Sequence, residues 1–156
     1  MRRTVARLEA LVRANPTNFL AACALAQGYH DLHNTDAALQ TLDRVVQNPE
    51  ADANAVLQAA QQYAALTNYQ RLEVALGRLT QLSPEKPEVW YDLAAFKAML
   101  GKPQEALPAL RRSLELSDQR LKQNPKALDL RAKALQDPRL GSLRQLPEFH
   151  QLTAPR

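Results

Sequence analysis

Residues that could carry out chemistry are few, and three of them cluster at His30, Asp31 and His33. Imidazole and carboxylate groups are ligands that zinc and other transition metals accept. An H-x-x-H pair with no further ligand at a matching spacing is weak evidence for a metal site. We therefore interpret these three as surface residues at the end of a helix, and we predict no metal.

Cys23 is the single cysteine, so no internal disulfide can form. A catalytic thiolate needs a base or a cationic neighbour, and no known motif places a histidine beside Cys23. The sequence also lacks a phosphate-binding loop, a pair of catalytic carboxylates and a Ser-His-Asp signature. We predict that the chain is not an enzyme and binds no cofactor, and that Cys23 is a small groove or core residue.

The helices that carry these residues are best defined in the stretch 87–118. Trp90, Leu93, Ala94 and Lys97 lie at i, i+3, i+4 and i+7, which is one face of a helix. If Trp90 is buried on this face, its replacement by Ala would cost about 3–5 kcal/mol. Gly101 follows at the position where a left-handed residue ends a helix.

A second helix in the same stretch is expected to begin near Pro103 or Gln104, because proline is favoured in a first turn. Its facing side carries Ala106, Leu107 and Leu110. Pro108 falls inside this helix, where it should distort the opening. The stretch predicts a helix-turn-helix unit in which small residues allow close backbone approach.

The same pattern recurs twice earlier in the chain, at a constant interval. Aromatic and apolar slots are filled compatibly in both copies, by Val56, Ala59, Ala60, Tyr63, Leu66 and Leu76, and by Ala22, Leu25, Ala26, Tyr29, Leu32 and Leu42. The Ala106 slot holds Ala38 in the first copy but Leu72 in the second, so we expect looser or wider packing in the middle repeat. Thr35 or Asp36 is expected to cap the second helix of the first repeat.

This pattern resembles the tetratricopeptide repeat, in which W-x2-L-G-x2-Y, A-x3-F and P recur with a period of about 34 residues. The resemblance implies an all-α fold, a right-handed α-α superhelix (solenoid) of antiparallel helix pairs, in one domain over residues 1–156. The repeats would span 19–52, 53–86 and 87–120, and 121–156 would form C-terminal capping helices. The closing segment resembles that of bacterial members, with Leu140, Leu143 and Phe149 as cap residues.

Residues 4–16 match only the second helix of a repeat, with Leu8, Leu11 and Pro16 in the expected slots. A natural repeat array rarely begins with half a repeat, because one flank of that helix lacks a partner. We expect the chain to be a piece of a longer protein. An adaptor module of this kind is either free-standing or attached to a membrane or enzymatic parent. An exposed row of Val5, Leu8 and Val12 would favour self-association of this flank into a homo-oligomer.

Composition fits an elongated soluble helical stack, with 156 residues, 46% hydrophobic residues and only 4 glycines. No apolar run reaches the 18 or so residues of a membrane span, the start lacks the core of a signal peptide, and nothing assigns a compartment. The net charge of +4 is uneven, with nine basic against ten acidic residues in 1–100 and eleven against six in 101–156. Because acids interleave with the bases and no aromatic cluster accompanies them, we interpret the basic end as a solvated face, which argues against nucleic-acid binding.

The repeat resemblance also implies which residues face an inner groove that accepts a peptide or helix. Carried onto this chain, the groove positions are Leu20, Cys23, Gln27, His30, Asp31, Asn54, Leu57, Gln58, Gln61, Glu88, Tyr91, Asp92, Ala95 and Met99. Members that clamp a chaperone's terminal carboxylate use Lys, Arg and Asn where this chain has Cys23, Gln58, Glu88 and Asp92, which disfavours an acidic peptide end. The groove instead suits apolar anchors, with a Lys or Arg of the ligand near Glu88 and Asp92.

Two functions are compatible with this sequence. The first is a non-catalytic adaptor scaffold that binds a segment of an unidentified protein partner in the groove. The alternative is a structural spacer or self-association module within a larger protein, in which the groove residues only solvate the surface.

Overall fold

The computed structural model describes residues 2–155, and over that range it contains α-helices and one 3₁₀ helix but no strand. The predicted all-α fold is confirmed. The helices are α1 Arg2–Ala14, α2 Phe19–Asp31, α3 Thr35–Gln47, α4 Ala53–Ala65, α5 Tyr69–Leu82, α6 Pro87–Met99, α7 Pro103–Gln123, α8 Leu130–Ala134, the 3₁₀ helix Pro138–Leu143 and α9 Pro147–Thr153.

The helices fall into two compact units, one ending at Leu82 and the other beginning at Ser83. In unit 1, α2 pairs with α3, α4 pairs with α5, and α1 packs on α2. In unit 2, α6 and α7 form the main pair, and the 3₁₀ helix packs chiefly on α6. None of the helices within residues 2–155 is both long enough and apolar enough to cross a bilayer.

Side-chain caps at repeating positions begin the helices α2, α3 and α4. Asn18 and Asp52, which occupy the same slot in successive repeats, accept hydrogen bonds from the backbone N–H groups of Ala21 and Ala55 at 3.1 and 2.9 Å. The prediction that Thr35 or Asp36 caps α3 is wrong. Asn34 does so instead, and its side chain accepts from the N–H three residues later at 3.2 Å. Asn34 is the residue just before the helix, where its side chain can fold back on the first turn, whereas Thr35 and Asp36 already lie within the helix.

Three residues with positive φ end the first helix of each helix pair. His33, Thr67 and Gly101 have φ values of 59°, 54° and 76°, and they too occupy one slot of the repeat. The N–H of the residue after Thr67 donates to the carbonyl of Tyr63 at 3.0 Å, which satisfies a terminal carbonyl of the helix. The backbone conformation at His33 is therefore part of a helix end.

Replacing Thr67 with Gly is expected to raise the free energy of unfolding by about 0.5–1 kcal/mol. A β-branched residue is strained at positive φ, and glycine removes that strain at a small entropic cost. Urea denaturation followed by circular dichroism measures the change. Thr67→Ala is the control, since alanine keeps the strained Cβ. A gain for alanine as large as that for glycine would contradict the backbone explanation.

Alanines at helix-helix crossings form the tightest parts of the core. Ala38 in unit 1 is fully buried, and so are Ala94, Ala106 and Leu110 in unit 2. Trp90 is only half-buried, and its Nε1 donates to the carbonyl oxygen of Pro84 at 2.9 Å. The prediction that Trp90 is buried is wrong. Its indole lies at the edge of α6, and its hydrogen bond connects the preceding turn to the helix.

Candidate functional site

Unit 1 presents a surface formed by the neighbouring helices α2 and α4. The side chain of Gln62 links them by donating to the backbone carbonyl of Cys23 at 2.9 Å. Eight of the predicted groove residues lie on these helices with their side chains exposed or half-buried, and we call them the α2–α4 surface: Leu20, Gln27, His30, Asp31, Asn54, Leu57, Gln58 and Gln61.

Two leucines stand out on the α2–α4 surface. Leu20 is 73% exposed and Leu57 is 44% exposed, although each belongs to a type that is usually buried. The polar neighbours are mostly amides, which carry no charge, and Gln27 donates to Asp31 at 2.9 Å. The arrangement offers apolar anchor points within a hydrogen-bonding surround whose one acidic side chain is Asp31.

Cys23 lies beneath this surface and does not form part of it. Its side chain is only 3% exposed, and burial raises the pKa of the thiol above its usual value. A protonated, buried thiol is a poor nucleophile. Cys23 is therefore a core residue at the contact of α2 with α4, and its assignment to the groove surface is corrected.

The two histidines considered as metal ligands are placed at the end of α2. His30 is half-buried in the last turn, and His33 is exposed at the left-handed position beyond it. Within residues 2–155 the structure brings together no group of three or more His, Cys, Asp or Glu side chains. The H-x-x-H spacing arises because one histidine lies in the last turn of α2 and the other lies just beyond the end of that helix.

In unit 2 the corresponding face of α6 is covered by the C-terminal segment. Tyr91 is 1% exposed and Ala95 is fully buried. The Tyr91 hydroxyl donates to Asp137 Oδ2 at 2.8 Å, and the hydroxyl of Ser142 lies 3.4 Å from the carbonyl of Ala98. The prediction that Tyr91 and Ala95 face an open groove is wrong, because residues that follow the last repeat fold over them.

The two acids predicted to attract a basic ligand group in unit 2 already have partners. Glu88 pairs with Arg120 of α7, and Asp92 pairs with Arg139 at 3.5 Å. Met99 remains 45% exposed at the end of α6. Because arginines of the chain already pair with both carboxylates, the structure gives no reason to expect a Lys or Arg of a ligand beside Glu88 and Asp92.

Asp137 is the centre of the contacts that hold the C-terminal segment on α6. Burial alone would raise the pKa of its carboxyl, but hydrogen bonds from the Arg139 side chain and backbone and from Tyr91 outweigh burial and lower the pKa to about 2. The Lys133 ammonium lies 5.0 Å from the centre of the Tyr91 ring. Burial and the bond to Asp137 raise the pKa of Tyr91, so this cluster keeps the phenol neutral and the carboxyl charged.

The N-terminal flank does not present the expected apolar row. Val5 is buried against α2, where a Cβ built on Gly28 would lie 2.8 Å from Val5 Cγ2. Leu8 and Val12 are half-buried, and Leu11 is the large apolar side chain that α1 exposes. The prediction of an exposed apolar row on α1 is therefore wrong, because these residues are turned toward α2. The basis for self-association through this row is lost.

Sequence reasoning missed a recurring acid-tyrosine pair in unit 1. The Tyr29 hydroxyl donates to Glu9 at 2.8 Å, and the Tyr63 hydroxyl donates to Asp43. The two acids lie one repeat length apart, as do the two tyrosines, so the signal was available in the repeat register. Arg71 adds to the second pair, with its Nε 3.0 Å from Asp43 Oδ1.

Solved structures that resemble this chain include two of MamA. The crystal structure of MamA has a TM-score of 0.52 and 18% sequence identity, and the match covers 94% of this chain and 86% of that one. A second, the crystal structure of MamA protein, has a TM-score of 0.55 and 15% identity, covering 96% and 78%. These neighbours are all-α solenoids of tetratricopeptide type, and at this identity the likeness shows the fold. No family model matches the chain, and no curated protein matches it significantly.

Proposed function

We propose that this chain is a non-catalytic protein-interaction scaffold whose α2–α4 surface binds a segment of a partner protein. The observation that carries the proposal is the exposure of Leu20 and Leu57 on two neighbouring helices of unit 1. A contiguous apolar patch rimmed by polar residues marks a surface that binds another chain, and Leu20 and Leu57 would form the apolar part of such a patch. The tetratricopeptide-like fold supports an interaction role in general.

The partner segment should carry apolar anchors and little charge. The leucine side chains can contact apolar side chains of the partner. The amides of Gln27, Asn54 and Gln61 can form hydrogen bonds with the backbone of an extended or helical segment. A strongly acidic or basic ligand finds few opposite charges here. We place the site on unit 1 because the α6 face is covered by the C-terminal segment.

Substitution of Leu20 or Leu57 by Arg is expected to weaken partner binding at least tenfold. Peptides are first selected from a random displayed library with the purified chain as bait, and their affinities are then measured by fluorescence anisotropy. Each arginine replaces an apolar contact by a charge that must be desolvated on binding, and central anchors commonly contribute about 2 kcal/mol or more.

The matched control is Val74→Arg, which introduces the same charge at a 63% exposed apolar position on α5. The peptide affinity of this variant should stay within about twofold of the wild-type value. Circular dichroism should show that all three variants keep their helices. Peptides that bind both leucine variants as tightly as the wild type would refute the proposal, and so would the absence of any selected peptide. Tyr91→Ala is unsuitable as a probe because that side chain is buried.

A further inference from the structure

A second cleft opens in unit 1 between α1 and α3, with α2 as its floor. Its volume is about 430 Å³, which lies in the range of small-ligand sites. The apolar lining includes Phe19, Ala22 and Leu25 of α2 and Val45 of α3. Phe19 and Ala22 lie on a different side of α2 from Leu20 and Gln27, so this cleft is separate from the α2–α4 surface.

The mouth of the cleft carries an excess of positive charge. Arg13 of α1 and Arg44 of α3 both line it and are both exposed. Among residues 2–155 neither arginine has a carboxylate within ion-pair distance. Glu9 also lines the cleft, but it accepts the Tyr29 hydroxyl at 2.8 Å. Two guanidinium groups without a partner therefore flank an apolar floor.

The next repeat provides an internal comparison. The matching cleft between α3 and α5 has a volume of about 150 Å³, and Arg71 lines it and pairs with Asp43 at 3.0 Å. The residue of the first cleft that corresponds to Arg71 is Ala37, one repeat earlier. The residue of the second cleft that corresponds to Arg13 is Gln47. An alanine cannot reach Glu9 to close the mouth. The first cleft is thus larger and more basic than its counterpart.

We propose that this cleft binds a small amphiphilic carboxylate, with its apolar chain over Leu25 and Val45 and its carboxylate between Arg13 and Arg44. Arginine pairs well with carboxylates, and a carboxylate supplies the charge that these guanidinium groups lack. On α1 the lining residues run from Glu9 to Arg13, and Pro16 continues the lining beyond the end of that helix. Four helical steps span about 6 Å, and together with the cleft volume of about 430 Å³ this suits a medium-length chain. The site is independent of the proposed partner binding on α2 and α4.

The test is a titration of the isotope-labelled chain with sodium decanoate below its micellar concentration, followed by ¹H–¹⁵N correlation spectra. Decanoate should shift the backbone signals of cleft residues such as Ala22 and Val45 in a saturable way. Decylamine has the same chain with the opposite charge, and it should bind at least tenfold more weakly. Equal binding of the two, or shifts that map outside the cleft, would overturn the proposal.

Two sets of variants separate the charge from the shape of the cleft. The double substitution Arg13→Gln with Arg44→Gln should weaken decanoate binding at least tenfold, while Ala37→Arg should do the same by pairing with Glu9 and filling the mouth. The matched control Arg3→Gln with Arg7→Gln removes two charges from α1 outside the cleft lining, and it should leave the affinity within twofold.

Undiminished decanoate binding to the Arg13/Arg44 variant would contradict the assignment of the carboxylate. A peptide end offers the same chemistry as a fatty carboxylate, so N-acetyl-leucyl-leucine is titrated as well. Tighter binding of this dipeptide than of decanoate would overturn the small-amphiphile assignment, and weaker binding would support it.

Discussion

Replacing Asp137 with Ala is expected to lower the free energy of unfolding by about 3 kcal/mol. Asp137 is buried, it accepts the Tyr91 hydroxyl at 2.8 Å, and it pairs with Arg139 at 3.0 Å. Removing its carboxylate leaves a buried phenol without an acceptor and a partly buried guanidinium with less compensation, and both are costly. Urea denaturation monitored by circular dichroism measures the loss.

The pH dependence of stability distinguishes the charge of Asp137 from its packing. Its folded pKa of about 2 lies below the usual value for an unfolded aspartate, so its charged form stabilises the fold above about pH 4. This contribution, about 2 kcal/mol, is lost as the pH falls from about 4 to about 2. The stability difference between wild type and Asp137→Asn should therefore shrink over that window.

Asp36→Ala is the control for these measurements, because Asp36 is an exposed acid in the first turn of α3. Its removal should cost no more than about 1 kcal/mol. A difference between wild type and Asp137→Asn that stays constant from pH 6 to pH 2 would show that the charged carboxylate contributes nothing through its hydrogen bonds.

The repeat register predicted much of the local structure because the forces that set it are local. The helices α2, α4 and α6 begin at Phe19, Ala53 and Pro87, which are the predicted first residues of the three repeats. Caps and left-handed ends depend on residues within one turn. The sequence already predicts His33 at a helix end, and its alignment with Gly101 also assigns Thr67 to one, although neither residue is a glycine.

The covering of α6 could not be predicted from the register, because it depends on contacts between distant residues. Tyr91 and Asp137 are 46 residues apart, and Asp137 lies beyond the last repeat. The register assigns Tyr91 a position on its helix but carries no information about which segment packs there. The predicted cap residues Leu140, Leu143 and Phe149 are buried, yet their sequence pattern did not indicate that Arg139 would also neutralise Asp92.

The open cleft beside α1 shows a different limit of repeat reasoning. An alignment of repeats emphasises residues that recur, such as Tyr29 and Tyr63. The cleft instead arises from a slot that differs, Ala37 in place of Arg71. Differences between repeats change surfaces without changing the fold, so they indicate where a specific ligand could bind.

Replacing Tyr63 with Ala is expected to lower the free energy of unfolding by about 4 kcal/mol, the largest effect among these variants. The Tyr63 ring is 1% exposed in unit 1, and its hydroxyl donates to Asp43. Loss of a buried aromatic ring removes apolar burial and leaves a cavity. Tyr63→Phe keeps the ring and leaves Asp43 paired with Arg71, so it should cost only about 1 kcal/mol.

The matched control is Tyr29→Ala, one repeat earlier in the same slot. Tyr29 is half-buried beside the open cleft, whereas Tyr63 lies where Arg71 closes the corresponding space. The Tyr29 substitution should therefore cost clearly less than the Tyr63 substitution, as measured by urea denaturation. Equal losses at the two positions would mean that the cleft over Tyr29 is closed in solution, and that result would argue against the proposed carboxylate site as well.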